Sequence, residues 1–466
     1  MAVPAAVFEV LVYLCLVGMG TLCFLLGWMT PEGAGVLTVL LLASLLVLAW
    51  NRFDQGRHPC FLFLCTLMFF QGGGLLAYCL GAEDDPLRVQ IMTPNPFYVS
   101  RDTIGIVLLS LALSAICVYA PCRWNYQKLP PPDYVEVRRY LPYLYLVFFA
   151  TLPVQLLKNY LYYQYALENG GYTSIFLYHS AMVANVPLPA RLLAALTLPA
   201  FVAIFVFEHR KKQLFVVTFL YFLTASLILL LGSRAAAFTL VLALWYVARI
   251  KSMKKARIIK LAAFLLILLM LGDAVSKLRG GEEVGTTFSL LRVLEAQGGS
   301  LNVTEVAVKY RNLFSPHTAS YLLTELGEAF VATDVTGHHR GSAVADDVSQ
   351  FLNPSLFALG YGTGGSYVGE AYIVGGFAGV IVISVLIGSG LHVAYRLSEN
   401  GVSLLLVALV LPYVLVMPRG GLLDWLSVLA RNIATILALA VGWKLFCGLA
   451  WLGQTYRAGS TSLQKG

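Results

Sequence analysis

Long apolar runs, each broken by a short polar stretch, recur from one end of the chain to the other. They lie near residues 8–28, 34–50, 60–80, 103–121, 140–158, 191–208, 214–231, 235–250, 260–276, 368–395, 402–417 and 425–447. Each is close to the roughly 20 residues that a helix needs to cross a hydrocarbon core of about 30 Å. The pattern predicts about 12 transmembrane helices and an all-α polytopic membrane protein. Residues 1–275 carry nine of them with short loops. Residues 276–367 form one large loop subdomain with helices of its own. Residues 368–466 supply three more helices and a tail.

Composition agrees. The chain of 466 residues is 59% hydrophobic and 12% charged, with a mean hydropathy of +0.76, where soluble domains carry about 25% charged residues. The first run follows "MAVPAAVFEV" without a basic leader, which reads as an uncleaved signal anchor. The net charge of +8 reflects topology rather than nucleic-acid binding. "NRFDQGRHP", "CRWNYQKLPPPDYVEVRR", "HRKKQ", "RIKSMKKARIIK", "RLSENG" and the C-terminal tail hold more than half of the 32 Lys and Arg. Basic short loops stay cytoplasmic, so both termini are expected inside and the longer loops outside. The eight cysteines fall in or beside apolar runs with no metal-binding spacing, and the expectation is reduced thiols, no disulfide, no metal and no cofactor.

The segment from Leu214 to Ala248 is too long for one span and has a basic flank at each end. It must therefore turn back at "LGSRA", which puts Arg234 at the outer interface. No carboxylate lies in the hairpin. The alternatives are an arginine that snorkels to the interface and one aimed at an anion. Arg191 opens the sixth run after "NVPLPA", and Arg419 lies in "MPRGGLLDW" between the last two. Three arginines at one depth suit a pyrophosphate, because the guanidinium fork pairs with phosphate oxygens and stays charged.

The large loop adds "TGHHRGSAVADD". Here His338 and His339 are candidates for a general base and Arg340 for a further pyrophosphate ligand, the alternative being a solvated loop. "TTFSLLRVLEAQ" and "HTASYLLTELGEAFVA" read as amphipathic helices. "GYGTGGSYVGEAY" contains a GxGxxG pattern without the preceding strand that a dinucleotide site requires. Its glycines, Gly364 among them, instead let backbone amides approach an anion at a helix start, with Glu370 in the first turn. Tyr172 stands in a tyrosine-rich outer segment that either lines a sugar path or forms an aromatic belt. Glu83, Asp84 and Asp85 read as a solvated acidic turn or as a cation site.

The glycine–serine–arginine hairpin tip, the large outer loop with its Gly-rich return "GYGTGGSYVGEAYIVGGFAGV" and the late turn "VMPRGGLLDWLSV" together resemble the Wzy-class polymerases of O-antigen and enterobacterial common antigen. The resemblance covers about residues 140–445. It implies a GT-C-like, metal-independent, inverting glycosyltransferase working at the periplasmic face. The substrate would be oligosaccharide repeat units on undecaprenyl pyrophosphate in the inner membrane, and the partner a chain-length-regulating co-polymerase. It carries over roles for Arg234 and for Arg419 with Asp424, the last as a catalytic acid or base or as a partner for Arg419. The placements of Arg191 and Arg340 rest on the residues alone. The alternatives are an O-antigen ligase or other lipid-linked-sugar glycosyltransferase, and a non-enzymatic lipid-sugar transporter.

Overall fold

A backbone in hydrocarbon satisfies its N–H and C=O groups only within the chain, so apolar runs of this length become helices. A computed structural model describes residues 2–463, apart from 84, 94, 125, 131–136, 170–178, 231–233, 252–289, 315–343 and 360. In chain order it begins with α1 (Ala2–Leu25), α2 (Pro31–Arg52), α3 (Pro59–Phe70) and α4 (Gly73–Cys79). A two-stranded antiparallel ribbon follows, β1 (Arg88–Val89) on β2 (Phe97–Tyr98). Then come α5 (Arg101–Trp124), α6 (Leu141–Glu168), α7 (His179–Ala184), α8 (Leu188–Ala195), α9 (Thr197–Phe207), α10 (Lys211–Leu230) and α11 (Arg234–Ile250). The last group is α12 (Leu290–Gly298), α13 (Ser300–Lys309), α14 (Val344–Leu352), α15 (Pro354–Ala358), α16 (Tyr367–Leu397), α17 (Gly401–Val416) and α18 (Asp424–Leu463).

Eleven of the twelve apolar runs fall on these helices, and the twelfth, 260–276, lies outside the described residues. Among the described residues, eight helices are long and apolar enough to cross a membrane. The α3–α4 pair, bent by 67°, makes a ninth if it is one span. The bend falls at "QGGG", where Gln71 ends α3 and glycines open α4. A second break lies inside α16, at Gly375 and at Gly376 with φ 60°, and Arg311 Nε donates to the Ile373 carbonyl beside it at 3.2 Å.

Helix α5 is the hub and packs against α1, α2 and α16. A Cβ on Gly388 of α16 would collide with the Val118 carbonyl of α5, so glycine there sets the closeness of the crossing. The basic loops meet at one end of the bundle. Arg57 donates to the carbonyls of Arg249 and Ile250. Lys128 pairs with Asp54 at 3.1 Å, and Lys251 donates to the Phe205 and Glu208 carbonyls. At the same end Glu9 pairs with Arg52 at 2.7 Å and Arg123 at 3.1 Å, tying α1, α2 and α5 together.

The opposite end holds the described part of the large loop. Of "TTFSLLRVLEAQ", the described part from Leu290 on forms α12, and "HTASYLLTELGEAFVA" lies outside the described residues. Helix α13 does not lie on the surface. Every residue from Ser300 to Val308 is buried, and Leu301, Val303, Val306 and Ala307 belong to the same apolar core as the long helices. Small residues make this possible: a Cβ on Gly369 of α16 would come within 3.1 Å of the Ala307 Cβ.

Candidate active site

The late turn predicted around Arg419 is a single 3-10 turn, Met417–Arg419, between α17 and α18. It is clamped from three sides. The Arg419 carbonyl accepts the Gly365 amide at 2.9 Å. The Pro418 carbonyl accepts Gln71 Nε2. The Leu422 amide donates to Glu370 Oε2 at 2.8 Å. Asp424 Oδ2 reaches back to accept the Gly421 amide at 2.8 Å, satisfying a donor ahead of α18 as a carboxylate at a helix start does.

The Gly-rich stretch "GYGTGGSY" makes this approach possible. Gly364 has φ +74°, and a Cβ there would come within 3.3 Å of the Arg419 carbonyl oxygen. A Cβ on Gly365 would lie 2.8 Å from the carbonyl carbon and oxygen of Gly420. Two peptide planes therefore touch where any side chain would separate them.

Gln71, Thr304 and Ser366 lie beneath the turn, all buried. Gln71 Nε2 donates to Ser366 Oγ at 3.0 Å, and Thr304 Oγ1 donates to Gln71 Oε1 at 3.0 Å. The Thr304 and Ser366 hydroxyls are 2.7 Å apart. With the Thr304 proton on Gln71, Ser366 donates to Thr304, and the three side chains close a ring in which each gives and takes one bond. Gln71 thus carries the break of α3 and α4, the cap of α16 and the Arg419 turn on one amide.

The Arg419 side chain is part-buried. Nη1 donates to Gln297 Oε1 of α12 at 2.7 Å, and the guanidinium lies 5.9 Å from the centroid of Phe70. Phe238 of α11 stacks on Phe69 at 5.1 Å and meets Phe70 edge-on at 6.2 Å. Arg234 opens α11, one turn before Phe238. Phe238, one turn into α11, and the Arg419 guanidinium therefore both meet Phe70. Arg191 stands on α8, which packs against α6 and α9. It is the fourth residue of Leu188–Phe207 and so stands near the end opposite the basic one.

The structure thus gathers Gly364, Glu370, Arg419 and Asp424 at one corner and brings the start of α11 beside them. His338, His339, Arg340 and Tyr172 lie outside the described residues. Gln71, Gln297, Thr304 and Ser366 were missed in the sequence. The signal for Gln71 was present, as the polar residue before a glycine triplet inside an apolar run.

Glu305, next to Thr304, was missed as well. It is fully buried. Asn302 Nδ2 donates to its Oε2 at 3.0 Å, while Oε1 has no hydrogen-bond partner. Burial pushes the carboxyl up to about 8, against the Asn302 bond that favours the anion, and Asp85 nearby adds to the rise. The folded state therefore holds a proton that the unfolded chain releases above the ordinary carboxylate range. Stability falls as pH rises from about 4.5 to 8, by an amount on the order of a few kcal/mol. Glu305→Gln is expected to melt at a higher temperature than the parent at pH 8 and to match it at pH 4.5. An equal difference at both pH values would show that Glu305 is not protonated in the fold.

Comparison with the curated proteins and with the solved structures finds no match. The family model for the O-antigen polysaccharide polymerase Wzy matches residues 6–449. With nearly the whole chain covered, and with a multi-helix apolar bundle around an arginine turn, this chain belongs to the O-antigen polysaccharide polymerase Wzy family.

Proposed function

We propose that the corner around Arg419 is the active site of a periplasmic-face polymerase. It joins oligosaccharide repeat units carried on undecaprenyl pyrophosphate, inverting the anomeric centre without a catalytic metal. The end of the bundle where the basic loops meet is the cytoplasmic end, which leaves Arg419 and the starts of α8 and α11 on the periplasmic side. Both termini are then cytoplasmic.

In this reaction a hydroxyl of the incoming unit attacks the anomeric carbon of the growing chain. The bond from that carbon to the pyrophosphate oxygen breaks, and the lipid pyrophosphate leaves with the electron pair. Arginines placed where that charge develops do what a divalent cation does in metal-dependent transferases. Arg419 is one, held by Gln297 and Phe70 before substrate arrives. Arg234 is the second, with the positive end of α11 behind it. Arg191 and Arg340 are assigned the same role at the edge of the site. Asp424, His338 and His339 are the candidates for the base that takes the hydroxyl proton. Gly364 and Glu370 shape the site by holding the loop and the turn, and Tyr172 is assigned to the sugar path. A chain-length-regulating co-polymerase is the expected partner.

The observation that carries this reading is the fixing of the Arg419 guanidinium, by the Gln297 bond and the backbone clamps of its turn, beside the start of α11. Arg234→Ala is expected to insert and fold as the parent does and to form no polymer. Arg234→Lys should restore a fraction, because the charge returns without the fork. Normal polymer from Arg234→Ala would remove this arginine from the mechanism.

A further inference from the structure

Helix α3 carries a second cluster at its other end, roughly 18 Å from the Arg419 corner for 12 residues at 1.5 Å each. His58 caps α3, Cys60 lies in its first turn and Cys122 comes from the end of α5. All three side chains are fully buried. One ligand atom from each lies within 4.8 Å of the other two. The His58 ring stacks on that of His392 of α16 at 5.7 Å between centroids.

The polar atoms of this cluster are poorly served by the protein. His58 Nδ1 accepts the Cys60 amide at 3.1 Å, while His58 Nε2 and His392 Nδ1 have no hydrogen-bond partner. The Cys122 thiol donates to the Gly388 carbonyl at 3.1 Å, and that of Cys60 reaches Val118 only at 4.0 Å. A buried imidazole nitrogen without a partner is costly. Two sulfurs and two imidazoles form the tetrahedral donor set that zinc takes in closed structural sites.

We propose that His58, Cys60 and Cys122 bind one zinc ion, and that His392, which stacks on His58 outside that group of three, turns in as the fourth ligand. Binding expels the two thiol protons, so two thiolates neutralise the divalent ion and the site adds no net charge to an apolar interior. Coordination through His58 Nε2 moves the ring proton to Nδ1, which can then no longer accept the Cys60 amide. Coordination through Nδ1 exchanges the Cys60 amide bond for the metal bond. Either keeps the imidazole neutral. The ion staples α3, α5 and α16, two of which reach the Arg419 corner, and it takes no part in the chemistry there. The cluster departs from the expectation of no metal because a His-x-Cys pair and a cysteine on a distant helix form no spacing motif.

The test loads the purified chain with zinc and, in parallel, with cobalt(II). The expected result is about one zinc per chain, with two protons released on binding. Cobalt should give the near-ultraviolet thiolate charge-transfer band and the strong visible bands of a tetrahedral site. Cys60→Ser with Cys122→Ser should lose both. Zinc should also shield Cys60 and Cys122 of the unmodified chain from alkylation while the exposed Cys79 still reacts, a readout that needs no variant to fold. Zinc no higher than in the double variant, no charge-transfer band, unshielded thiols or a Cys60–Cys122 disulfide would each overturn the site.

Discussion

Arg419→Ala is expected to cost the protein its polymerising activity, on the order of 10²–10³-fold, while the bundle stays folded. That is the usual effect of removing one preorganised group that stabilises developing charge. The bundle survives because the turn is held by backbone atoms. The Arg419 carbonyl takes the Gly365 amide, Pro418 takes Gln71, and Glu370 takes the Leu422 amide. None of these bonds uses the guanidinium. What the variant loses is the charge, the bond to Gln297 and the contact with Phe70. Arg419→Lys keeps the charge on a flexible stem, and Gln297→Ala keeps the fork but frees it. Both should fall between parent and alanine variant in rate, with unchanged melting temperature. Equal polymer from parent and Arg419→Ala, assayed in membranes at matched protein level, would show that this arginine takes no part in the reaction.

Gly365→Ala should be nearly as severe for the opposite reason, since it leaves every charged group in place. The new methyl would lie 2.8 Å from the Gly420 carbonyl carbon and oxygen, which are backbone atoms that cannot rotate away. The Gly-rich loop must then back off and lose its bond to the Arg419 carbonyl. Overpacking of this kind costs about 1–3 kcal/mol in stability, and a shift of about 1 Å in a positioned group costs about 10²-fold in rate. Gly390→Ala is the control, because nothing lies within 4 Å of the added carbon and alanine favours the helix by up to about 1 kcal/mol. Thermal unfolding and polymer yield, measured on both variants, separate the cases. A Gly365→Ala protein as active as Gly390→Ala would mean that the loop and the turn need not touch.

The helices were legible because the membrane imposes one rule on the backbone, and an apolar run of span length has only one way to meet it. The common end of the basic loops was legible for a related reason, since charge placement follows topology. The Arg419 corner was legible in part. Its arginine, its glycines and the acids Glu370 and Asp424 stand in short motifs close to helix ends. Gln71 left one signal, its place before the glycine triplet, and Thr304, Ser366 and Glu305 left none. They are single polar residues in apolar surroundings, and what gives them meaning is that α3, α13 and α16 cross at one point. The burial of α13 was hidden in the same way, because "SLNVTEVAVK" carries enough polar residues to look like part of a surface loop. His58, Cys60 and Cys122 show the same limit.

The most direct measurement gives the purified chain a lipid-pyrophosphate-linked repeat unit, with no divalent cation added, and resolves the products on a gel. The account predicts a ladder spaced by one repeat unit. A chain that moves only onto an added lipid core would make the protein a ligase. Unchanged substrate would contradict the assignment of polymer chemistry to the Arg419 corner.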